Sequence, residues 1–152
     1  MKIAFIVPYV PNQIRTRSYN LITHLTNLGH EVDVFTVGSS KVDIADADAL
    51  KSRCRNVYYF EQPVWRSLLN SALAVPSGKP LQAVYSRQPD LVQQLGRLFG
   101  QNGKRQTYDV VHVEHLRGSE YGRYLKSRIR PRHEGVRHRQ SISQSSSFMV
   151  VE

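Results

Sequence analysis

The sequence has little cysteine and no long apolar run. A single cysteine, Cys54, among 152 residues excludes a disulfide framework and a cysteine-rich zinc site. Arginines on both sides of it favour a thiolate, but no base lies nearby in sequence, so we expect an ordinary cysteine. No stretch approaches the roughly 20 apolar residues of a membrane-spanning helix. The first apolar run ends at Pro8 and is too short for the apolar region of a secretion signal. With the low cysteine content, this predicts a cytoplasmic protein that is either free or peripheral on the inner face of the membrane.

Acidic residues are also scarce. The chain has 12 Asp and Glu against 21 Lys and Arg, which gives a formal net charge of +9. Such an excess suits an anionic partner, for example a membrane surface, a nucleotide or a nucleic acid, but a solvated basic surface produces it equally well. The basic residues are spread along the chain without a recognition motif, which argues against a nucleic acid.

The pattern of residues 1–37 predicts a βαβ unit. The apolar run at 2–7 has the length of one buried strand, and a β-rich segment resumes at 31–37. Between them, Gly29 occupies a C-cap position after a helix whose apolar residues share one face: Leu21, Ile22, Leu25 and Leu28. The two strands are therefore expected to be parallel, and parallel sheets bind ligands at the carboxyl ends of their strands. The turn at 8–17 is the first candidate region for a site.

Strands and helices continue to alternate beyond this unit. A short helix is predicted at 45–52, a strand at 56–60, helices at 65–75 and 90–100, a buried strand at 108–113 and a helix at 119–128. This alternation predicts an α/β, Rossmann-like, doubly wound fold with a mostly parallel sheet over residues 1–129. Residues 130–152 are basic and rich in Ser and Gln, so we expect a disordered or out-of-frame tail that adds no strand.

The turn after the first strand contains three candidate substrate-binding residues. Arg15 and Arg17 lie at the start of the predicted helix, where guanidinium groups and backbone N–H groups suit a phosphate. A surface arginine pair at a helix start explains them as well. Asn12 is a candidate for a hydrogen bond to a sugar, and formation of the turn itself is the favoured alternative.

Two more candidates follow the strand at 108–113. Glu114 and His115 stand at its carboxyl end, where a general base or a ligand for a sugar hydroxyl would be placed. An ion pair between Glu114 and Arg117 is the alternative. His112 lies inside the strand and is expected to be a core histidine. It forms no convincing metal pair with His115 because no third ligand is evident, so no metal site is predicted.

Three aromatic residues are expected to lie in the core or on the sheet face. They are Trp65, Tyr58 and Tyr59. The helix at 65–75 carries few charges, and its apolar residues are expected to pack against the sheet. With Arg66 and Lys79 at its ends, contact with an anionic membrane is the other interpretation.

Four stretches of the chain resemble the N-terminal half of a GT-B glycosyltransferase of the family-4 type, including the sugar transferases associated with exopolysaccharide and exosortase systems. They are 2–20 with its proline-rich turn, 24–32 with the motif GHEV, the segment 65–85, and 108–112, which reads YDVVH. Their order and spacing extend the resemblance over residues 1–129. Single motifs such as GHEV are weak, whereas four in the family's order are fairly specific.

The resemblance implies a transferase that moves a sugar from a nucleotide-sugar donor to a saccharide or lipid-linked acceptor, with retention of anomeric configuration. In such enzymes this domain supplies the acceptor side of the cleft, which Arg15, Arg17, Glu114 and His115 would line. The nucleotide-sugar is a substrate, and no cofactor is expected.

The chain departs from the family pattern in two respects. The first turn, at 11–15, lacks the glycine pair that lets the backbone approach the donor diphosphate. The second Rossmann-like domain, which holds most nucleotide-sugar contacts and a pair of glutamates in the family, has no counterpart in these 152 residues. We therefore expect this chain to be inactive alone, as a truncated or frameshifted product.

Three other interpretations remain open from the sequence. A stand-alone nucleotide-binding or regulatory module predicts tight ligand binding by this domain, and a basic nucleic-acid-binding protein predicts steep salt dependence of binding. A non-functional gene fragment is the third.

Overall fold

The computed structural model describes residues 1–74, 85–99, 108–114, 116–128 and 149–151. The strands are β1 (Lys2–Val7), β2 (Glu31–Gly38), β3 (Asn56–Glu61), β4 (Val110–Val113) and β5 (Met149–Val151). The helices are α1 (Thr16–Asn27), α2 (Lys41–Lys51), α3 (Val64–Ala74), α4 (Pro89–Phe99) and α5 (Ser119–Arg128), with a 3₁₀ turn at Leu116–Gly118. Within these parts of the chain, no helix is long and apolar enough to cross a membrane.

The five strands form one parallel sheet with the order β3-β2-β1-β4-β5. The chain winds from β1 outward through β2 to β3 and then returns to the other side of β1 with β4. This reversal makes the β1–β4 junction the switch point of the sheet, where doubly wound folds have a crevice at the carboxyl ends. The predicted α/β, Rossmann-like, doubly wound fold is confirmed.

Buried apolar residues cover both faces of the sheet, as expected for parallel strands with helices on each side. Alternate residues of β1 belong to different clusters, because successive side chains point to opposite faces. One cluster joins the sheet to α4 and α5 through Ala4, Ile6, Phe35, Val37, Leu91, Leu95, Val111, Val113, Tyr121 and Leu125. The other joins it to α1 through Ile3, Phe5, Val7, Ile22, Val32 and Val34.

Three predictions about secondary structure differ from the structure. Strand β4 begins at Val110, two residues later than the predicted 108. Helix α2 begins at Lys41, before the expected 45, because Ser40 and Asp43 form a capping box that satisfies free N–H groups. The expectation that no strand follows α5 is wrong for Met149–Val151, which pair in parallel with β4. Three apolar residues beyond a polar segment gave no periodicity from which to infer this strand. The rest of the predicted tail, 130–148 and 152, lies outside the described residues.

The aromatic residues divide between the core and the surface. Tyr58 and Tyr59 are half-buried and pack against core clusters, and Tyr58 stacks on Phe35 with ring centroids 4.7 Å apart. This confirms the expectation for both tyrosines. The same expectation is wrong for Trp65, which is 61 % exposed on α3. The predicted packing of the apolar face of α3 against the sheet is wrong too, because α3 presents polar side chains to the protein.

Cys54 is predicted to react slowly in the folded protein. The thiol is buried in the core under α1. Burial, reinforced by the charge of Asp33, raises its pKa to about 11 despite the opposing charge of Arg53. At pH 8 the thiolate fraction should fall about 100-fold relative to an exposed cysteine. Reaction with a disulfide reagent should therefore be at least that much slower than in urea. Equal rates would contradict the burial of this thiol.

Candidate functional site

A pocket of about 230 Å³ opens at the carboxyl edge of the sheet. Segments that directly follow β1, β2 and β3 line it, and the 3₁₀ turn after β4 adds one residue. Nine of its lining residues have polar or aromatic side chains: Tyr9, Arg15, Ser39, Asp43, Gln62, Ser67, Tyr85, Ser86 and Arg117. The pocket therefore lies at the edge of the sheet where parallel strands bind ligands, and most of its lining comes from the side of β2 and β3.

Asn12 shapes the β1–α1 turn beside this pocket. Its Oδ1 accepts hydrogen bonds from the backbone N–H of Ile14 (3.1 Å) and Arg15 (2.8 Å), and its Nδ2 donates to Oδ2 of Asp46 (2.7 Å). Asn12 is not among the residues that line the pocket. Its amide is thus engaged in forming the turn and tying it to α2, the alternative favoured from the sequence.

Arg15 extends from the turn into the pocket. Its Nη1 donates to the carbonyl oxygen of Val10 at 3.2 Å and lies 3.6 Å from Oδ1 of Asp43. The guanidinium also stands 5.3 Å from the centroid of the Tyr9 ring. These contacts hold the positive charge at the edge of the pocket and place it next to a carboxylate.

Asp43 has a structural role and also lines the pocket. Its Oδ2 accepts hydrogen bonds from the N–H groups of Ser39 and Ser40, both at 3.0 Å. Burial raises the pKa of Asp43, but these hydrogen bonds and the charge of Arg15 lower it below its ordinary value. The carboxylate is therefore ionised at neutral pH, with Oδ1 on the side of Arg15.

Gly38 makes this arrangement sterically possible. A Cβ at this position would lie 2.7 Å from Cβ of Asp43 and 2.8 Å from Cε2 of Tyr59. Both distances are shorter than real Cβ contacts, so any larger residue would push Asp43 or Tyr59 out of place. The end of β2 thus approaches α2 closely because it ends in glycine.

The opposite wall contains two buried polar atoms without partners. Gln62 donates from Nε2 to Oγ of Ser67 (2.8 Å) and to the carbonyl oxygen of Tyr85 (2.6 Å). Its Oε1, like Nε of Arg117, is buried and has no hydrogen-bond partner among the described residues. The Arg117 guanidinium lies 5.7 Å from the centroid of the Tyr85 ring. Two residues of the pocket lining thus each keep one polar atom that is closed off from solvent and unpaired among the described residues.

Glu114 lies next to the pocket but does not line it. It follows β4 directly, and its backbone N–H donates to the carbonyl oxygen of Ile6 at 2.9 Å. Its buried Oε1 lies 3.7 Å from Nε of Arg17 and accepts from the Tyr9 hydroxyl at 3.4 Å. The Tyr9 hydroxyl is also 2.8 Å from Oγ of Ser18. Tyr9, which lines the pocket, therefore connects it to the Arg17–Glu114 pair.

The candidate residues that the structure describes thus lie at the same edge of the sheet, but they do not form one cluster of contacting side chains. Arg15 lines the pocket, Arg17 pairs with Glu114 behind Tyr9, and the alternative ion pair of Glu114 with Arg117 is not formed. His115 lies outside the described residues.

His112 packs in the sheet as the sequence indicated. It is half-buried, and its ring centroid lies 4.5 Å from that of Phe5. Burial lowers its pKa, although the charge of Glu114 opposes this shift. Among the described residues, no group of three His, Cys, Asp or Glu side chains is arranged to hold a metal ion.

Asp43, Gln62, Tyr85 and Arg117 are among the pocket residues that were not recognised from the sequence. Two of them had a local signal. Asp43 stands three residues after Ser40, the spacing of a capping box, and Gln62 follows the third predicted strand directly. The other two enter the pocket through tertiary packing.

Comparison with known proteins finds no matching protein-family model, no matching curated protein and no matching solved structure. The chemistry of the pocket is therefore the basis for assigning a function.

Proposed function

We propose that this chain is the acceptor-side domain of a glycosyltransferase and that its pocket binds one sugar unit of a saccharide or lipid-linked acceptor. The observation that carries the proposal is the composition of the pocket lining at the carboxyl edge of the sheet, where the ionised carboxylate of Asp43 occurs together with the Arg15 and Arg117 guanidinium groups and the Tyr85 ring. In this scheme a nucleotide-sugar is the donor substrate and no further cofactor is required.

The pocket offers the groups that sugar hydroxyls need. Asp43 supplies a carboxylate that accepts hydrogen bonds, and the Arg15 and Arg117 guanidinium groups donate them. The Tyr85 ring supplies an apolar face for the C–H side of a sugar. A volume of about 230 Å³ is below the range of about 300–1,000 Å³ for drug-sized ligands, which suits a monosaccharide unit better than a whole nucleotide-sugar.

The position of Asp43 argues against binding of a nucleotide phosphate at the N-terminus of α2. In nucleotide-binding modules a phosphate binds to free N–H groups at a helix N-terminus. At the N-terminus of α2, the carboxylate of Asp43 already accepts from the N–H groups of Ser39 and Ser40. A phosphate would meet this negative charge, whereas a neutral sugar would not.

Arg17 and Glu114 are proposed to extend the acceptor cleft beyond the pocket. Both adjoin it through Tyr9, and Oε2 of Glu114 is buried without a hydrogen-bond partner among the described residues. A second sugar unit would meet the exposed Arg17 guanidinium there.

The test is binding of methyl hexosides by the whole chain, measured by ligand-observed NMR. We expect a dissociation constant on the order of millimolar, as for other ligands of about a dozen heavy atoms. Arg117→Met keeps the length of the side chain but removes its donors, and should weaken binding about tenfold. Arg123→Met is the matched control, because Arg123 is 70 % exposed on α5 and distant from the pocket lining.

Two results would contradict the proposal. Micromolar binding of nucleoside diphosphates without binding of any hexoside would favour the nucleotide-binding module. Equal loss of hexoside binding in both arginine variants would show that overall charge, and not the pocket, governs the interaction.

A further inference from the structure

Helix α3 turns its polar side toward the protein and its apolar side toward solvent. The side of a surface helix that faces its protein is normally the apolar one. Here the polar residues face inward: Ser67 is buried and its Oγ accepts from Nε2 of Gln62 at 2.8 Å. One turn further, Asn70 donates from Nδ2 to the carbonyl oxygen of Arg87 at 2.9 Å. The protein side of α3 is thus held by hydrogen bonds.

The opposite side of α3 presents a continuous apolar surface to solvent. Trp65, Leu68 and Leu73 are 61 %, 60 % and 69 % exposed, and the surface also includes Val64 and Leu69. Spacings of three and four residues place these side chains along one stripe of the helix. Soluble proteins rarely expose such a stripe without a partner for it.

We propose that this stripe of α3 docks the protein on an anionic membrane surface. The helix contains one arginine and no acidic residue, so nothing on it repels a negatively charged lipid headgroup. The Arg66 guanidinium lies 5.8 Å from the centroid of the Trp65 ring, which joins a cation to an aromatic residue as at membrane interfaces. The net charge of +9 adds attraction at longer range.

Charge complementarity favours lipid over a second copy of the chain. Two copies that met through α3 would bring two Arg66 side chains and two strongly basic molecules together, with no acidic residue on the helix to offset them. An interfacial helix with a cation near its aromatic residue has no such conflict with anionic lipid.

Docking through α3 would hold the pocket at the lipid surface. Val64 and Ser67, in the first turn of α3, also line the pocket. If the pocket binds an acceptor sugar as proposed above, a lipid-linked acceptor would reach it from the bilayer. The docking itself does not depend on that function, since it follows from the exposed side of α3 alone.

The single tryptophan of the chain, Trp65, reports on this contact directly. We expect its fluorescence to shift to shorter wavelength when the protein meets vesicles of phosphatidylcholine with roughly one third phosphatidylglycerol. Vesicles of phosphatidylcholine alone should produce little shift. Raising salt from about 0.1 M to about 0.5 M should weaken the binding, because the charge contribution is screened.

The triple variant Leu68→Ser, Leu69→Ser, Leu73→Ser keeps Trp65 and should bind anionic vesicles at least roughly tenfold more weakly. The control Leu28→Ser, Val42→Ser removes residues that are 65 % and 66 % exposed outside α3, and should bind as the native protein does. Circular dichroism confirms that each variant is folded, and co-sedimentation measures binding without relying on fluorescence.

Three outcomes would overturn the proposal. They are the absence of binding to anionic vesicles, equal binding to neutral vesicles, and self-association that the triple variant abolishes while vesicle binding stays absent. The vesicle experiments contain no saccharide. Their outcomes therefore test membrane docking separately from hexoside binding by the pocket.

Discussion

Replacing Asp33 by alanine is expected to lower the free energy of unfolding by about 3–5 kcal/mol. Asp33 is fully buried in β2, where it pairs with Nε and Nη2 of Arg55. It also accepts hydrogen bonds from the Tyr108 hydroxyl (2.7 Å) and from Nδ2 of Asn56 (3.0 Å). Alanine would leave the four donor groups of these three residues in place around an empty position, and a buried donor without a partner is costly.

Glu31→Ala is the matched control for this network. Glu31 accepts from Nη1 of Arg55 at 2.8 Å, but its side chain is half-exposed. Removal of an exposed partner should cost less than about 1 kcal/mol. Urea unfolding followed by circular dichroism measures both variants. Similar losses for Asp33→Ala and Glu31→Ala would show that burial does not set the strength of the Asp33 network.

The contribution of Asp33 should also depend on pH in a defined direction. Burial raises the pKa of Asp33, but hydrogen bonds from Arg55, Tyr108 and Asn56 and the charge of Arg55 lower it below its ordinary value. A carboxylate with a lowered pKa stabilises the fold above its unfolded pKa of about 3.9, and that stability is lost as pH falls through the folded value. The difference between native protein and Asp33→Ala should therefore be constant near neutrality and shrink below about pH 4.

Removing the hydroxyl of Tyr121 is the second change with a large expected effect. Tyr121 lies on α5 and is buried. Its hydroxyl accepts from the backbone N–H of Gln88 at 2.9 Å and donates to the carbonyl oxygen of Ser86. Tyr121→Phe leaves both backbone groups buried and unpaired, at a cost of about 1–3 kcal/mol. Hexoside binding should weaken as well, because Tyr85 and Ser86 line the pocket.

Tyr19→Phe provides the control for loss of a phenol. Tyr19 is half-buried on α1, and no hydrogen bond of its hydroxyl is found within the described parts of the chain. We expect a change in the free energy of unfolding below about 0.5 kcal/mol, with hexoside binding unchanged. Urea unfolding and ligand-observed NMR report the two quantities separately. A Tyr121→Phe variant as stable as the native protein would refute the role given to its hydroxyl.

The positions of helices and strands followed from local patterns, because each depends on neighbours in sequence. β1 was predicted with its observed bounds from one apolar run, and Gly29 ends α1 with a positive φ of 80°, the conformation that glycine favours. Similarly, placing Glu114 at the carboxyl end of β4 required only the length of that strand. Its partner did not follow, since Arg17 lies 97 positions earlier and meets it only because β1 and β4 are neighbours.

The sequence alone determined the fold class and the edge of the sheet at which to look for a site, because periodicity is a local property. The low reactivity of Cys54 was decided by the tertiary structure, which buries the thiol near Asp33. Tertiary structure decided which side chains share the pocket: Arg15, Gln62 and Arg117 come from the segments that follow three different strands. It also decided that α3 turns its apolar side outward. Amphipathic periodicity shows that a helix has two sides, but hydrogen bonds from distant residues such as Gln62 determine which side faces the protein.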